Sequence, residues 1–439
     1  MDLLQNNKPG KRLQNWLGLD YWSNIALLLY IFTMPFVSAF AFTNILSLPL
    51  LFSVFLFIIM TVKTINSGKL PGGFFGFDII FIFVFLFVVI FSFLINGLGN
   101  AKSFNHTAAY IATFLFFYLS IKFALFDIKN KKRGFRIILK IITITTIISA
   151  LYANIEFISS NFLKINLNDY VPRPNEEQAY YDALVLSLFY RARGFTAESG
   201  HFTFMMELFS PIAVYYMYFS GFCKWNKLVK AFLFAAVIFS FIFAFSTASF
   251  FIVPLALLLS CILYMKNIFL YFKRHKVRFL ITTGVISIIF FLFHYFFSID
   301  SLILLSISEK LDTGYDYRQE NIDFFFNKFF NLGIITNLIG TGPAGISILG
   351  FDESNTILNL YYLIPFELGF LGLLVLLLLF SYFMFNVIKI KHKIGFFLLI
   401  SLLGGIMHYY FISNFWYPWF WFIGAFAIYC NKLFLKTAY

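Results

Sequence analysis

The stretch "GFDIIFIFVFLFVVIFSFLIN", Gly76 to Asn96, carries a single charge, Asp78, in 21 residues. A helix of that length crosses a hydrocarbon core of ~30 Å. Working outward, comparable apolar runs recur, and we read spans near 23–42, 47–65, 76–96, 107–126, 136–155, 201–220, 229–245, 248–265, 279–298, 356–388, 394–412 and 414–434. Only "STAS" (Ser246 to Ser249) separates the seventh from the eighth. The 439-residue chain is 61% hydrophobic and 12% charged, more apolar surface than a soluble core of this size hides. The expectation is an all-α polytopic membrane protein: one integral domain over 1–439 with about twelve transmembrane helices. A basic, polar leader precedes the first run, and no cleavable signal peptide is read there.

The net charge of +13 raises the question of nucleic acid, and its distribution answers it. With the N-terminus set in the cytoplasm, 25 of the 33 Lys and Arg fall on the cytoplasmic side, in clusters such as Lys122–Lys140 and Lys266–Arg278. That is the positive-inside bias, so both termini are expected in the cytoplasm and no nucleic-acid partner is called. Asp2, Asp20, Asp78 and Asp127 are the acidic residues on that side. Cys223, Cys261 and Cys430 offer neither a disulfide framework nor paired metal spacing. No metal or other cofactor is called.

Two outer connections are long, 156–200 and 298–355, and loops of that length tend to carry function. "NEEQAYYDALVLSLFYRARG" spaces Ala179, Ala183, Leu184, Leu186 and Phe189 as a helix lying along the interface would. "YDYRQENIDFFFNKFFN" (Tyr315 to Asn331) does the same with Tyr317, Phe324, Phe325, Phe329 and Phe330. No GxSxG, HExxH, P-loop or paired-acid metal motif is found. Arg191, Arg193 and Arg318, with Arg173 behind them, lie on the side that positive charge avoids. A guanidinium fork matches phosphate oxygens two at a time and keeps its proton. The alternative is that they snorkel, or pair with Glu176, Glu177 or Glu320.

"GTGPAG" (Gly340 to Gly345) reads either as a plain turn or as a nest of backbone N–H groups for an anion. Glu198 and His201 share a face if a helix has begun there, and either suits a general base, or His201 packs at the interface. Glu207 and Glu367 sit inside predicted spans, where an ionisable group implies a function or a buried partner. His294 and His408 read as packing residues among aromatics.

Taken in order, these segments resemble the O-antigen polymerase and ligase superfamily of multi-spanning glycosyltransferases. "RARGFTAESGHFTFMMEL" resembles its Arg–Gly turn entering a helix. "YDYRQENIDFFFNKFFNLGIITNLIGTGPAG" resembles its Arg, aromatic helix and glycine turn, and "ILNLYYLIPFELGFLGLLVLLL" its Asn-led helix with "ELGxxGLL". The likeness covers roughly 185–380; the remainder agrees in hydropathy alone. It implies a GT-C-like architecture in the bacterial inner membrane. The implied reaction moves a growing glycan from undecaprenyl diphosphate onto the next lipid-linked repeat unit, without metal, on the periplasmic face. The implied partners are undecaprenyl-diphosphate-linked donor and acceptor, membrane lipid and a chain-length regulator, for which no patch is readable.

One departure favours polymerase over ligase. Counting back from Gly369 and Gly372 puts Leu358 in the ligases' histidine slot and Asn359 after it, and no histidine lies between His294 and His392. The expected roles are diphosphate binding for Arg191, Arg193, Arg318 and Arg173, and proton acceptance for Glu198, with His201, Asp352 and Glu353 as alternates. A ligase, or a non-enzyme transporter of lipid-linked polysaccharide, are the competing readings.

Overall fold

The computed structural model of the chain describes residues 19–43, 46–172, 184–185, 189–264, 322–350 and 357–435. Each apolar run except 279–298, which lies outside the described residues, contains a helix. We label these, together with the short helix Ile334–Ile339 of the second long connection, α1 (Leu19–Thr33), α2 (Leu48–Ser67), α3 (Phe77–Gly97), α4 (Ala101–Asp127), α5 (Lys131–Leu163), α6 (Ser199–Val214), α7 (Lys227–Phe243), α8 (Thr247–Leu263), α9 (Ile334–Ile339), α10 (Leu360–Ile388), α11 (Ile394–His408) and α12 (Pro418–Leu435). Five of them, α2, α3, α4, α5 and α10, are long and apolar enough to cross a membrane. Among the described residues the only strand pairing is antiparallel, Leu184–Val185 (β1) with Phe189–Tyr190 (β2).

Local chemistry sets where the helices begin. Ser47 accepts from the Leu50 N–H before α2, Asn100 from Ser103 before α4, Asn130 from Arg133 before α5, and Asn359 from Tyr361 before α10. Each satisfies a first-turn N–H that has no partner within the helix. α6 runs on through a wider π-helical turn, Tyr215–Phe219. α7 and α8 are joined by the short connection Ala244–Ser246, with Phe245 in the left-handed region at φ 45°.

Packing sorts the helices into inner and outer. In α12 every residue from Pro418 to Asn431 is buried, and α6 is buried almost all round. A helix apolar on all sides belongs at the centre. By contrast α2, α3, α7 and α8 expose Phe55, Phe83, Phe87, Phe232 and Leu258, a surface suited to hydrocarbon.

Side-chain contacts define two ends of the bundle. At one end Lys63 pairs with Asp20 (2.6 Å) and Asp127, and Lys129 with Asp20 (2.5 Å). Lys129 and Lys63 together hold the Asp20 carboxyl below its usual range. Near them, fully buried, Lys122 pairs with Asp78, which also accepts from the Tyr118 hydroxyl at 2.6 Å. The cytoplasmic acids of the sequence reading, Asp20, Asp78 and Asp127, thus share one end with basic partners. At the other end gather the starts of α4, α6, α10 and α12 and the ends of α3, α5, α7 and α11.

The first long connection differs from expectation in two places. α5 continues through a π-helical turn to Leu163, so Glu156 belongs to a helix and the connection starts at Lys164. Within the stretch "NEEQAYYDALVLSLFYRARG", expected as an interfacial helix, Leu184–Val185 and Phe189–Tyr190 instead pair as antiparallel strands, while 175–183 and 186–188 lie outside the described residues. The β2 edge continues onto Asn161, whose amide donates to the Tyr190 carbonyl and accepts the Tyr190 N–H, at 2.9 and 2.8 Å. In the second connection residues 322–329 are helical as read, and Phe325 and Phe329 pack on Ile357, Leu363 and Phe366. Tyr317 lies outside the described residues.

Breaking the buried pair strands a charge, which costs about 3–5 kcal/mol, whereas replacing both partners by apolar residues is close to neutral. We therefore expect Lys122→Met alone to lower the melting temperature of the purified protein sharply. Asp78→Leu combined with Lys122→Met should recover most of that loss, which a double-mutant cycle in detergent checks.

Candidate functional site

The site is built at the end of the bundle opposite the Asp20–Lys63 pairs. α10 is interrupted at Gly369, whose φ of 69° is not helical. The break frees the carbonyls of Phe366 and Glu367, and the "GTGPAG" turn takes them up. Thr341 donates to Phe366 through its N–H and its hydroxyl (2.9 and 2.8 Å), and Gly342 N–H donates to Glu367 at 3.0 Å. The backbones meet so closely that a Cβ on Gly340 would lie 2.1 Å from the Glu367 carbonyl oxygen, and one on Gly369 2.1 Å from that of Leu338. Both glycines are required by contact as well as by conformation.

Of the two readings of "GTGPAG", plain turn or anion nest, the structure shows a turn with one N–H, that of Ala344, directed at an anion within the protein. The buried Glu367 carboxylate accepts from the Ala344 N–H (2.8 Å) and the Tyr110 hydroxyl (2.8 Å), with His106 Nδ1 at 3.3 Å. The Ala344 N–H thus serves the protein's own carboxylate, and the Thr341 and Gly342 N–H groups serve its carbonyls. His106 remains 40% exposed beside it, edge-on to Trp416.

The "RARG" turn follows the same logic. Glu156 of α5 accepts the N–H groups of Arg193 and Gly194 at 2.9 and 2.8 Å, and Arg193 Nε lies 3.9 Å from its other oxygen. Arg193 is buried, donating also to the Ala197 carbonyl at 3.3 Å. Glu156 is thus a carboxylate partner of Arg193; Glu176, Glu177 and Glu320, the acids first considered, lie outside the described residues. Ala192 N–H bonds the Phe243 carbonyl, and Phe195 stacks on Tyr152 (4.2 Å) and packs on Phe36 (4.6 Å). Arg191 is half-buried in this latched turn.

Glu198 stands at the cap position of α6 without capping it, and its side chain is 51% exposed. Its carboxylate lies 3.9 Å from His201 Nε2. His201 is buried, with Asn414 Nδ2 2.8 Å from Nε2 and the Tyr417 hydroxyl 3.0 Å from Nδ1. Both ring nitrogens are engaged, so the ring is fixed in orientation and Glu198 is the accessible proton acceptor of the two. Two turns deeper, Glu207 accepts from Ser249 (2.6 Å) and bonds His408 Nδ1 (2.8 Å). His408 is therefore more than the packing residue expected, although it does lie against Phe204.

One segment ties these groups together: the connection from α11 to α12. His408 meets Glu207, Asn414 and Tyr417 hold His201, and Trp416 packs on His106 and Tyr110. Its residues were missed in the sequence because each looks like core; the available signal was the density of polar and aromatic groups in "HYYFISNFWYP" between two spans. Glu156, His106 and Tyr110 were missed likewise. Of the predicted site residues, Arg191, Arg193, Glu198 and His201 come together here. Arg173, Arg318, Asp352 and Glu353 lie outside the described residues, as does His294. In the register of the ligase motif, Leu358 is exposed at this end and Asn359 is spent capping α10. Searched against protein-family models the chain matches none, and no curated protein matches it.

Two predictions follow from the geometry. Gly369→Ala should destabilise the protein well beyond Gly350→Ala, which has open space and bears only the left-handed backbone cost of about 1–2 kcal/mol; thermal melts compare them. Glu156→Ala removes the acceptor of two buried N–H groups, each bond to a charged group being worth about 1.5–3 kcal/mol. Trypsin cleavage after Arg193 should then accelerate by on the order of tenfold or more, with Glu156→Gln intermediate. Unchanged cleavage in both would remove Glu156 as the latch.

Proposed function

We propose that the chain is a multi-spanning glycosyltransferase that polymerises glycan repeat units carried on undecaprenyl diphosphate. In this reading it has about twelve spans in a GT-C-like arrangement in the bacterial inner membrane. Both termini are cytoplasmic, and the site end faces outward. The observation that carries the reading is Glu198. It is an exposed carboxylate at the uncapped start of α6, beside the fixed His201–Asn414–Tyr417 cluster and just after the latched turn holding Arg191.

The chemistry fits that arrangement. The acceptor sugar's hydroxyl oxygen bonds to the donor's anomeric carbon as the bond from that carbon to the lipid diphosphate breaks. The diphosphate leaves with the bonding electrons, and Glu198 takes the hydroxyl proton. Arg191, with Arg318 and Arg173, meets the charge growing on the phosphate oxygens; one preorganised donor of this kind contributes about 3–4 kcal/mol. The N-terminus of α6, left uncapped by its own Glu198 side chain, adds positive partial charge at the same place. Arg193 acts through the turn, as a positioning residue. Proton acceptance contributes ~10²–10⁴-fold.

A transporter reading is favoured by one observation, the helix broken beside buried Glu367, since transporters bind substrate at such breaks. Here the freed carbonyls are bonded by Thr341, Gly342 and Ser92, which argues for a closed structural joint.

The deciding assay is purified protein with lipid-diphosphate-linked repeat units and no energy source, read as a ladder of products. We expect wild-type laddering and a loss of ~10²-fold or more in Glu198→Gln, with Arg191→Ala and Arg318→Ala also strongly impaired at unchanged melting temperature. Laddering that survives Glu198→Gln removes the base. Normal rates in both arginine variants remove the phosphate assignment, and no products from wild-type protein would leave the transporter reading in its place.

A further inference from the structure

At the opposite end of the bundle a cavity of about 520 Å³ opens between the start of α5, the π-helical turn after α6, the α10–α11 connection and the end of α12. Three cations line it, Lys132, Arg133 and Arg136, all in the first turns of α5, and no carboxylate does. None of the three makes an ion pair among the described residues. The other walls are largely apolar or aromatic, including Phe222 and Phe434. The Arg136 guanidinium sits over the Phe222 ring at 4.6 Å, which holds it in place. His392 stacks on Phe434 at 4.1 Å, and its Nδ1 accepts the Ile394 N–H at 3.3 Å, leaving Nε2 as the donating nitrogen.

From this arrangement we infer that the cavity binds the phosphate headgroup of an anionic membrane lipid. Three like charges within a few residues repel one another, and an anion among them relieves that cost. Arg133 and Arg136 offer the fork geometry that phosphate oxygens accept, and His392 adds a neutral donor. The apolar walls suit the acyl portion of the same molecule, which a soluble anion lacks. α5 is one of the helices able to cross a membrane, so its first turns lie where headgroups lie. A volume of this size holds a headgroup rather than a single ion. The site lies at the far end from Glu198 and does not depend on the glycan reading.

The test titrates the purified full-length chain with phosphatidylglycerol or phosphatidylcholine and follows bound lipid by native mass spectrometry. Wild-type protein should take up one phosphatidylglycerol saturably and phosphatidylcholine far more weakly. Arg133→Gln with Arg136→Gln should weaken that uptake by on the order of 30-fold, two cations being removed. Lys227→Gln with Lys230→Gln, which removes the same charge from the start of α7, should leave it within about twofold. Phe222→Ala keeps every charge and should still weaken binding several-fold, so the idea stays testable if the double arginine variant unfolds. Equal weakening by both charge pairs would mean diffuse attraction and overturn the proposal. Displacement of the lipid by millimolar inorganic phosphate would reassign the cavity to a soluble anion, and an absence of saturable binding would end it.

Discussion

A helix interrupted within an apolar bundle must find partners for the carbonyls it frees, because hydrocarbon offers none. In this protein that requirement is met at one joint, where Gly340 and Gly369 let two backbones touch and Glu367 is held between them. The joint brings Ser92 of α3, His106 and Tyr110 of α4 and the turn after α9 onto α10. The end of the bundle that carries the candidate site is organised around it. Tyr110 and His106 in turn seat Trp416, and Trp416 is the neighbour of the Tyr417 that orients His201.

The same constraint explains the other buried acids. Glu156 is answered by two N–H groups and Arg193, Glu207 by Ser249 and His408, and Asp78 by Lys122 and Tyr118. Each carboxylate ties together elements far apart in sequence, which makes it a fastening. What remains accessible at the site end is then informative. Glu198 and His106 keep substantial exposure while the groups around them are committed. Glu198 is thus an exposed carboxylate beside a rigid, buried imidazole, while Arg193 is engaged by Glu156 and Arg191 stays half-buried.

Much of the helix inventory was legible in advance, since a run such as Gly76–Asn96 has no alternative to a helix in an apolar medium. The caps at Asn100 and Asn359 are equally local contacts, although the structure first showed them. What the sequence left open shares one physical cause. The "GTGPAG" turn looks the same in sequence whether its N–H groups face a ligand or, as with Ala344, the protein's own Glu367, 23 residues on. The "RARG" arginines look alike too, yet Arg193 is claimed by Glu156, 37 residues earlier. The paired strands Leu184–Val185 and Phe189–Tyr190 read as part of an amphipathic helix by spacing, and the Asn161 side chain that extends their edge lies on another element.

The amino-acid sequence by itself determined the apolar character of this chain and the helical form of its long apolar runs. Those properties follow from apolar length and from contacts within a turn of the chain, which act before any tertiary contact exists. Which polar groups are fastenings and which are available for chemistry was decided only by tertiary structure. In an interior that provides no water, a charged group takes whichever partner the packing delivers. The packing of α5, α6, α10 and the α11–α12 connection delivered Glu156 to Arg193, His408 to Glu207 and Tyr417 to His201, leaving Glu198 exposed beside them.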